Sequence, residues 1–376
     1  MNRKTFLICL FLLFSKGVLA QTISLRTVSA LPNKVLESSG IVSASINAIW
    51  THNDSGGEPA LYNIDTLGNV LRTVIISNTL NTDWEALASD GEHYYIGDFG
   101  NNLNSRKDLK IYKVQNPNTT FDDTIQAQVI SFHYSNQNQF PPKDANKNFD
   151  AEAFVYFDSS LYIFTKNYTS PFTGYTYLYK LPSVAGNYTA ELMDSFKLGS
   201  GFKEQWWITD ADISPDKKKL VLLSSDKMFV FSNFSKADFF KGTLKIIMLG
   251  SFTQKEGFSF YSNNEFYITD EYFDLLGGRN LYQGSIVKYY ASSEPKLLKP
   301  KIPWVRYMNG TDDKVIQLRD DIKSVSFMIM DINGKTAMPG KLNQINRRLV
   351  LTLAPGYYTL CMTDGMDWQY LPIFID

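Results

Sequence analysis

Asp83-Trp84-Glu85-Ala86-Leu87, followed by Tyr94-Tyr95-Ile96-Gly97-Asp98-Phe99-Gly100-Asn101-Asn102, is the stretch on which the reading of this chain turns. An acid precedes a small residue and a short apolar run, a polar turn follows, and a second apolar run ends in polar residues. That is a pair of short strands and their hairpin. The same order begins again at Ser39-Gly40-Ile41, Glu152-Ala153-Phe154, Asp210-Ala211-Asp212-Ile213 and Glu256-Gly257-Phe258. Successive starts are separated by 46, 67, 58 and 46 residues, each interval long enough for four short strands. A repeat of this length made of strands is the arithmetic of a β-propeller.

Working outward, the second copy reads as strands over 85–89, 94–97, 109–114 and 129–134, and the fourth as strands over 210–214, 219–224, 228–232 and 244–249. The last copy has no fourth strand before Pro295. Thr22 to Val28 is a spare strand that would complete it, closing the ring and leaving fewer exposed edges. The expected fold is all-β: a five-bladed β-propeller over residues 21–300, with a sixth blade only if the long interval between Glu85 and Glu152 conceals two. Beyond Pro295, Pro300 and Pro303 the pattern becomes Val325 to Asp331, an Asn333-Gly334 turn, Leu349 to Leu353, Tyr357 to Met362 and Leu371 to Ile375. Asn-Gly between apolar runs is a hairpin signal, so residues 301–376 read as a small β-sandwich-like domain.

The first residues have the order of a secretory signal: Arg3 and Lys4, the apolar run Phe6 to Phe14, then Val18-Leu19-Ala20 before Gln21. Residues 1–20 are therefore expected to be a signal peptide. No later segment is long and apolar enough to span a membrane. The expected location is secreted, either extracellular or on the outer cell surface. Without residues 1–20, which carry Arg3, Lys4 and Lys16 and no acid, the net charge becomes −4, which argues against nucleic acid as partner. Only Cys361 remains after cleavage, so no intrachain disulfide is available.

In a propeller blade the first strand lines the channel and the second runs back beside it, so the start of one and the end of the other share a face. Ser39, Glu85, Glu152, Asp210 and Glu256 are expected to ring one mouth, with Asp54, Asp98, Lys166, Asn167, Asp270 and Glu271 just outside. The opposite face receives no comparable set. Carboxylates crowded into a channel raise one another's pKa unless a cation or protons neutralise them. Calcium takes six to eight oxygen ligands with flexible geometry and suits this set; zinc prefers nitrogen and sulfur. The expected metal ligands are Ser39, Glu85, Glu152, Asp210 and Glu256. The alternative is that these acids bond backbone amides at the blade starts. The ligand face is drawn from His52, Asp54, Asp83, Trp84, Asp98, Asn101, Lys166, Asp270 and Glu271. Within Trp50-Thr51-His52-Asn53-Asp54-Ser55-Gly56-Gly57, His52 and Asp54 could serve as acid and base, although Asn-Asp-Ser-Gly-Gly is also a good turn.

Two resemblances add to this reading. Met328-Ile329-Met330-Asp331-Ile332-Asn333-Gly334-Lys335, then Leu353-Ala354-Pro355-Gly356-Tyr357-Tyr358-Thr359-Leu360 and a terminal apolar strand, resembles the C-terminal sorting domain of the type IX secretion system. The resemblance implies a Bacteroidetes-type source, the type IX machinery as partner, and export with surface attachment. An ordinary β accessory domain is the alternative. The stretch around Glu85 resembles a blade of the calcium-activated nucleotidases of the apyrase type, five-bladed propellers with a central calcium. That implies one oxygen ligand per blade at Ser39, Glu85, Glu152, Asp210 and Glu256, with Asp210 standing where that family tends to have Ser. With no complete catalytic constellation legible, the expected function is a calcium-binding module for a glycan, protein or phosphate-containing ligand. The alternative is a calcium-dependent hydrolase, a nucleotide phosphohydrolase first and a glycosidase second.

Overall fold

The computed structural model describes residues 21–272, 277–290, 304–309, 314–331, 336–363 and 368–375. The expected signal peptide and the Asn333-Gly334 turn lie outside the described residues. The chain divides into two compact units, 1–290 and 291–376.

In the first unit, blade one is Ser38–Ser45, Ala48–Asn53, Ala60–Ile64 and Val70–Ile76. Blade two is Trp84–Ser89, His93–Asp98, Lys110–Gln115 and Gln128–Tyr134. Blade three is Asp150–Phe157, Ser160–Lys166, Tyr175–Pro182 and Gly186–Lys197. Blade four is Asp210–Ile213, Lys219–Leu223, Lys227–Ser232 and Thr243–Met248. Blade five is Lys255–Phe260, Glu265–Asp270 and Asn280–Ser285 with Arg26–Ala30 as its antiparallel outer strand. The five innermost strands neighbour one another in a closed cycle, blade five returning to blade one. The blades are thus arranged as a propeller around a channel, with blades two and three joined through their outer strands.

The N-terminal segment does more than complete the last blade. Gln21–Thr22 pairs in parallel with the outer strand of blade four, and only then does Arg26–Ala30 join blade five. Parallel pairings cover other outer edges as well: Thr124–Ile125 lies on blade one, and the outer strand of blade two pairs with that of blade three. The long interval after Glu85 is thereby used for edge cover rather than another blade, which removes unpaired strand edges that would otherwise invite association.

Apolar clusters fill the seams between neighbouring blades. Phe154 joins Phe99, Ile111 and Phe132 between blades two and three, and Phe164 meets Phe229, Phe231 and Phe239 between blades three and four. Trp50, Trp84 and Tyr94 lie between blades one and two. The aromatic richness of the sequence is therefore seam packing, flat rings filling wedge-shaped gaps between twisted sheets.

The second unit is a two-sheet sandwich. One sheet is Val305–Asn309, Lys314–Leu318 and Arg348–Val350; the other is Thr336–Asn343, Ser324–Asp331, Gly356–Thr363 and Trp368–Ile375. Ile316 and Leu318 from the first sheet share one core with Ile329, Leu360 and Met362 from the second.

Candidate metal and ligand site

The strand register explains which ring residues enter the channel. In blades two, three and five the pairing slips by one residue at Glu85, Glu152 and Glu256. Each glutamate is the extra residue of a β-bulge, a device that re-aims a side chain. In blade one the slip falls at Gly40, which has φ +65°, and a Cβ there would collide with the backbone of Ala86 and Leu87. The position equivalent to Glu85 is therefore Gly40, and Ser39 is one residue out of phase. Its hydroxyl donates to the Glu85 carbonyl at 2.8 Å, tying blades one and two.

Blade four has no bulge; Asp210 and Ala211 pair in regular register with Leu223 and Leu222. The Asp210 oxygens accept the amides of Ala211 at 2.8 Å and Phe258 at 2.6 Å, so this carboxyl ties blade four to blade five. Asp210 thus bonds backbone amides, as in the alternative reading of the acids, while the Ser39 hydroxyl is spent on a backbone carbonyl.

Loops complete the acidic mouth. Among the described residues, oxygens of Asp54, Asp83 and Glu85 gather within 4.8 Å of one another. Gly100 lies against them, since a Cβ there would overlap both the Glu85 and Asp83 carboxylates. Glu152 pairs with Lys166, and its second oxygen is buried without a hydrogen-bond partner. Glu271 accepts Gln254 Nε2 at 2.5 Å, and its other oxygen is likewise buried and unpartnered.

Burial dominates the electrostatics, and mutual repulsion adds to it. Burial, Glu152, Asp54 and Asp150 raise Glu85 well above the ordinary carboxylate range, with Lys166 opposing. Burial raises Glu152 in the same way against the pull of Lys166. Glu271 is pushed up to about 11 by burial and by Glu256 and Asp54. Asp54 rises to about 7 through burial, Glu256 and Asp83, and Asp150 to about 6 through burial. Burial disfavours charge on Lys166, but Glu152, Tyr168 and Asp150 outweigh it and hold the ammonium charged.

Other expected ligand-face residues serve to hold the mouth together. His52 is fully enclosed, its ring edge-on to Trp84 at 5.6 Å, and burial lowers it to about 4, so it is neutral at physiological pH. Trp84 is core, its indole N–H donating to the Leu80 carbonyl. Asp98 accepts Arg106 Nη2 at 2.9 Å and the Asp83 amide at 3.2 Å. Asn101 donates its backbone amide to Asp150 at 2.6 Å and accepts the amides of Ser105 and Arg106. Asn167 donates to Thr173 and to the Tyr175 carbonyl. Asp270 accepts the Asn280 amide and the Tyr282 hydroxyl. Arg106 and Asp150, which the sequence reading does not single out, hold the loop carrying Gly100 and Asn101 against the acids. Their signal is weak in sequence because each acts through folded-back loop contacts.

A cavity of about 570 Å³ opens at the opposite mouth, lined among others by Ser43, Ser89, Tyr94, Asp212 and Ser259. Its carboxylate, Asp212, already accepts the amides of Phe260 at 2.8 Å and Ile213 at 2.7 Å. This cavity and the cluster of acids thus lie at opposite ends of the channel.

No family model and no curated protein matches the chain. Among solved structures it is similar to PorZ, a bacterial surface component of the type-IX secretion system of Porphyromonas gingivalis, at 11% identity over 92% of this chain and 47% of that one, TM-score 0.32. It is also similar to the PQQ-bound aldose sugar dehydrogenase of Streptomyces coelicolor, at 7% identity over 69% and 96%, TM-score 0.39. A third is the β-propeller domain of Cps50 (Swd1) of Myceliophteria thermophila, at 11% identity over 70% and 99%, TM-score 0.35. The chain spans about half the length of the first of these. Among the described residues no helix is long and apolar enough to cross a membrane.

Proposed function

We propose that this chain is a secreted or cell-surface binding module whose propeller mouth holds a divalent cation, calcium first. One observation carries the reading: Asp54, Asp83 and Glu85 bring oxygens within 4.8 Å of one another, beside buried, unpartnered oxygens of Glu152 and Glu271. Such oxygens either take protons or share a cation, since an unneutralised buried carboxylate costs several kcal/mol. The donors are all oxygen and come from two loops and a bulged strand, which suits the large, adaptable shell of calcium. Asp54, Asp83 and Glu85 would hold the ion, with Glu152, Glu256 and Glu271 within the same acidic mouth. Ser39 and Asp210 leave the expected ligand set because their polar atoms tie blades together.

Export belongs to the same proposal, with residues 1–20 as signal peptide, residues 301–376, within the compact unit 291–376, as the sorting domain and the type IX machinery as partner. Deleting residues 291–376 in a type IX-competent host should retain the propeller in the periplasm; unchanged release to the surface would contradict it. Hydrolysis is a second reading on one observation. Beside the cation, the second oxygens of Glu152 and Glu271, buried without a hydrogen-bond partner, could orient a water toward a phosphoryl or glycosidic centre. Incubation with nucleotides and aryl glycosides in calcium separates the readings. Stabilisation by calcium without turnover favours binding, and calcium-dependent release of phosphate or phenol favours hydrolysis.

A further inference from the structure

The mouth away from the acids forms where the inner strands of blades one, two, four and five end. Ser45, Ser89, Ile213 and Phe260 are the last residues of those strands, and all four line the cavity of about 570 Å³. Small-molecule sites occupy roughly 300–1,000 Å³. Three polar groups of this cavity have bonding capacity that the fold leaves unused. Ser43 Oγ is buried without a hydrogen-bond partner, although the Ser43 amide donates to Ser259 Oγ at 2.9 Å. The Tyr94 hydroxyl accepts Asn118 Nδ2 at 3.0 Å and donates to no group among the described residues. Asp212 accepts one backbone amide on each oxygen, from Ile213 at 2.7 Å and Phe260 at 2.8 Å. Each carboxylate oxygen has room for a second bond. Burial raises Asp212 to about 7 against the pull of those amides, so near neutral pH this carboxyl both holds and accepts a proton.

Hydrogen-bond complementarity selects the ligand class. Tyr94 requires an acceptor, Asp212 an N–H or O–H, and Ser43 either one. An ammonium has no acceptor for Tyr94, and an anion has no donor for Asp212. Among the described residues no Lys, Arg or His lines the cavity, so an anion also lacks a counter-charge there. Hydroxyl groups serve all three positions, because each donates and accepts. A ligand gains over water in such a site only where its own groups repeat the bonds that water makes, and a hydroxyl is the group that does so. Val42, Ala44, Ala48 and Ile213 place apolar surface between the polar groups, matching the C–H groups that separate the hydroxyls of a sugar or polyol. A buried hydroxyl without a partner destabilises the free fold, and such a ligand seated in the cavity relieves that cost at Ser43.

We propose that this cavity is a second binding site, for a small neutral polyhydroxylated molecule of the monosaccharide or polyol class, held by Ser43, Tyr94 and Asp212. It is independent of the cation reading above. The test is saturation-transfer NMR and isothermal titration of the full chain in EDTA and in calcium, with glucose, galactose, mannose and sorbitol as probes. Glucosamine, glucuronate and N-acetylglycinamide serve as cationic, anionic and amide comparisons of similar or smaller size. Expected is binding of at least one neutral polyol, tighter than any of the three comparisons and equal in EDTA and calcium. Ser43→Ala should weaken it about three- to tenfold, with a Tm equal to or above wild type because the hydroxyl has no partner in the free fold. Tyr94→Phe should weaken it to a similar degree. No polyol binding, tighter binding of a charged or amide probe, or unchanged affinity in both variants overturns the inference. Binding that requires calcium also overturns it, since the polyol would then sit at the acidic mouth.

Discussion

Replacing Lys166 by Met probes the charge balance of the mouth with little change in volume. Lys166 is 8% and Glu152 5% exposed, so the pair is buried. Breaking such a pair by removing one partner costs about 3–5 kcal/mol. For a unit of this size each kcal/mol moves Tm by about 2–4 °C, so the variant should melt roughly 6–20 °C below wild type in EDTA at pH 8. The loss should shrink at pH 5. Burial holds Glu152 above the ordinary carboxylate range, so in acid it is neutral and Lys166 has less charge to balance. Calcium should recover part of the deficit by supplying positive charge, about 2.7 kcal/mol at a hundredfold excess over Kd, and its effect should exceed that on wild type. Differential scanning calorimetry of both proteins at the two pH values, with calcium and with EDTA, reads all of this. Equal Tm values in EDTA at pH 8, or equal calcium increments, would refute the claim that Lys166 does the work of a cation there.

Asp210→Asn should place an amide N–H against the Ala211 or Phe258 amide. One buried unsatisfied donor costs about 1–3 kcal/mol, visible as a lower Tm, while calcium content by elemental analysis should not change. Gly100→Ala pushes a methyl into the Glu85 and Asp83 carboxylates. Isothermal titration should show calcium affinity reduced about tenfold, with overpacking costing about 1–3 kcal/mol. The metal-free protein should lose stability as pH rises from the ordinary carboxylate value of 3.8 through about 6 and 7, where Asp150 and Asp54 ionise in the fold. The sign follows because groups held neutral by burial favour folding only while the unfolded chain is also protonated. Calcium binding should correspondingly release protons, which calorimetry in buffers of different ionisation enthalpy detects.

Much of this was legible in the sequence because strand alternation and turn residues are local signals. The starts at Glu85, Glu152 and Glu256 mark equivalent places in their blades. The phase of blade one was not legible. Ser39 carries the oxygen, yet the bulge falls on Gly40, and a bulge is set by pairing with Thr51 and His52 across the hairpin. Asp210 looked like its counterparts because an acid before alanine gives no hint that blade four pairs without a slip. The parallel edge pairings were hidden for a related reason: Thr124–Ile125 and Gln21–Thr22 are two-residue strands, too short to leave a pattern. Arg106 and Asp150 lie near Asn101 only once the loop has folded, so no spacing rule finds them. The seams were readable in composition but not in detail, since which ring meets which depends on blade twist.

The central claim is that the bulged glutamates and the loop aspartates form a cation site. Calcium content and calcium affinity of the purified chain, measured beside Glu85→Gln and Asp83→Asn with Asp210→Asn as the folded control, test it most directly. The account predicts bound calcium in the wild type and in Asp210→Asn and strongly reduced binding in the other two. Calcium retained equally by Glu85→Gln and Asp83→Asn, or no calcium bound by the wild type, would contradict it.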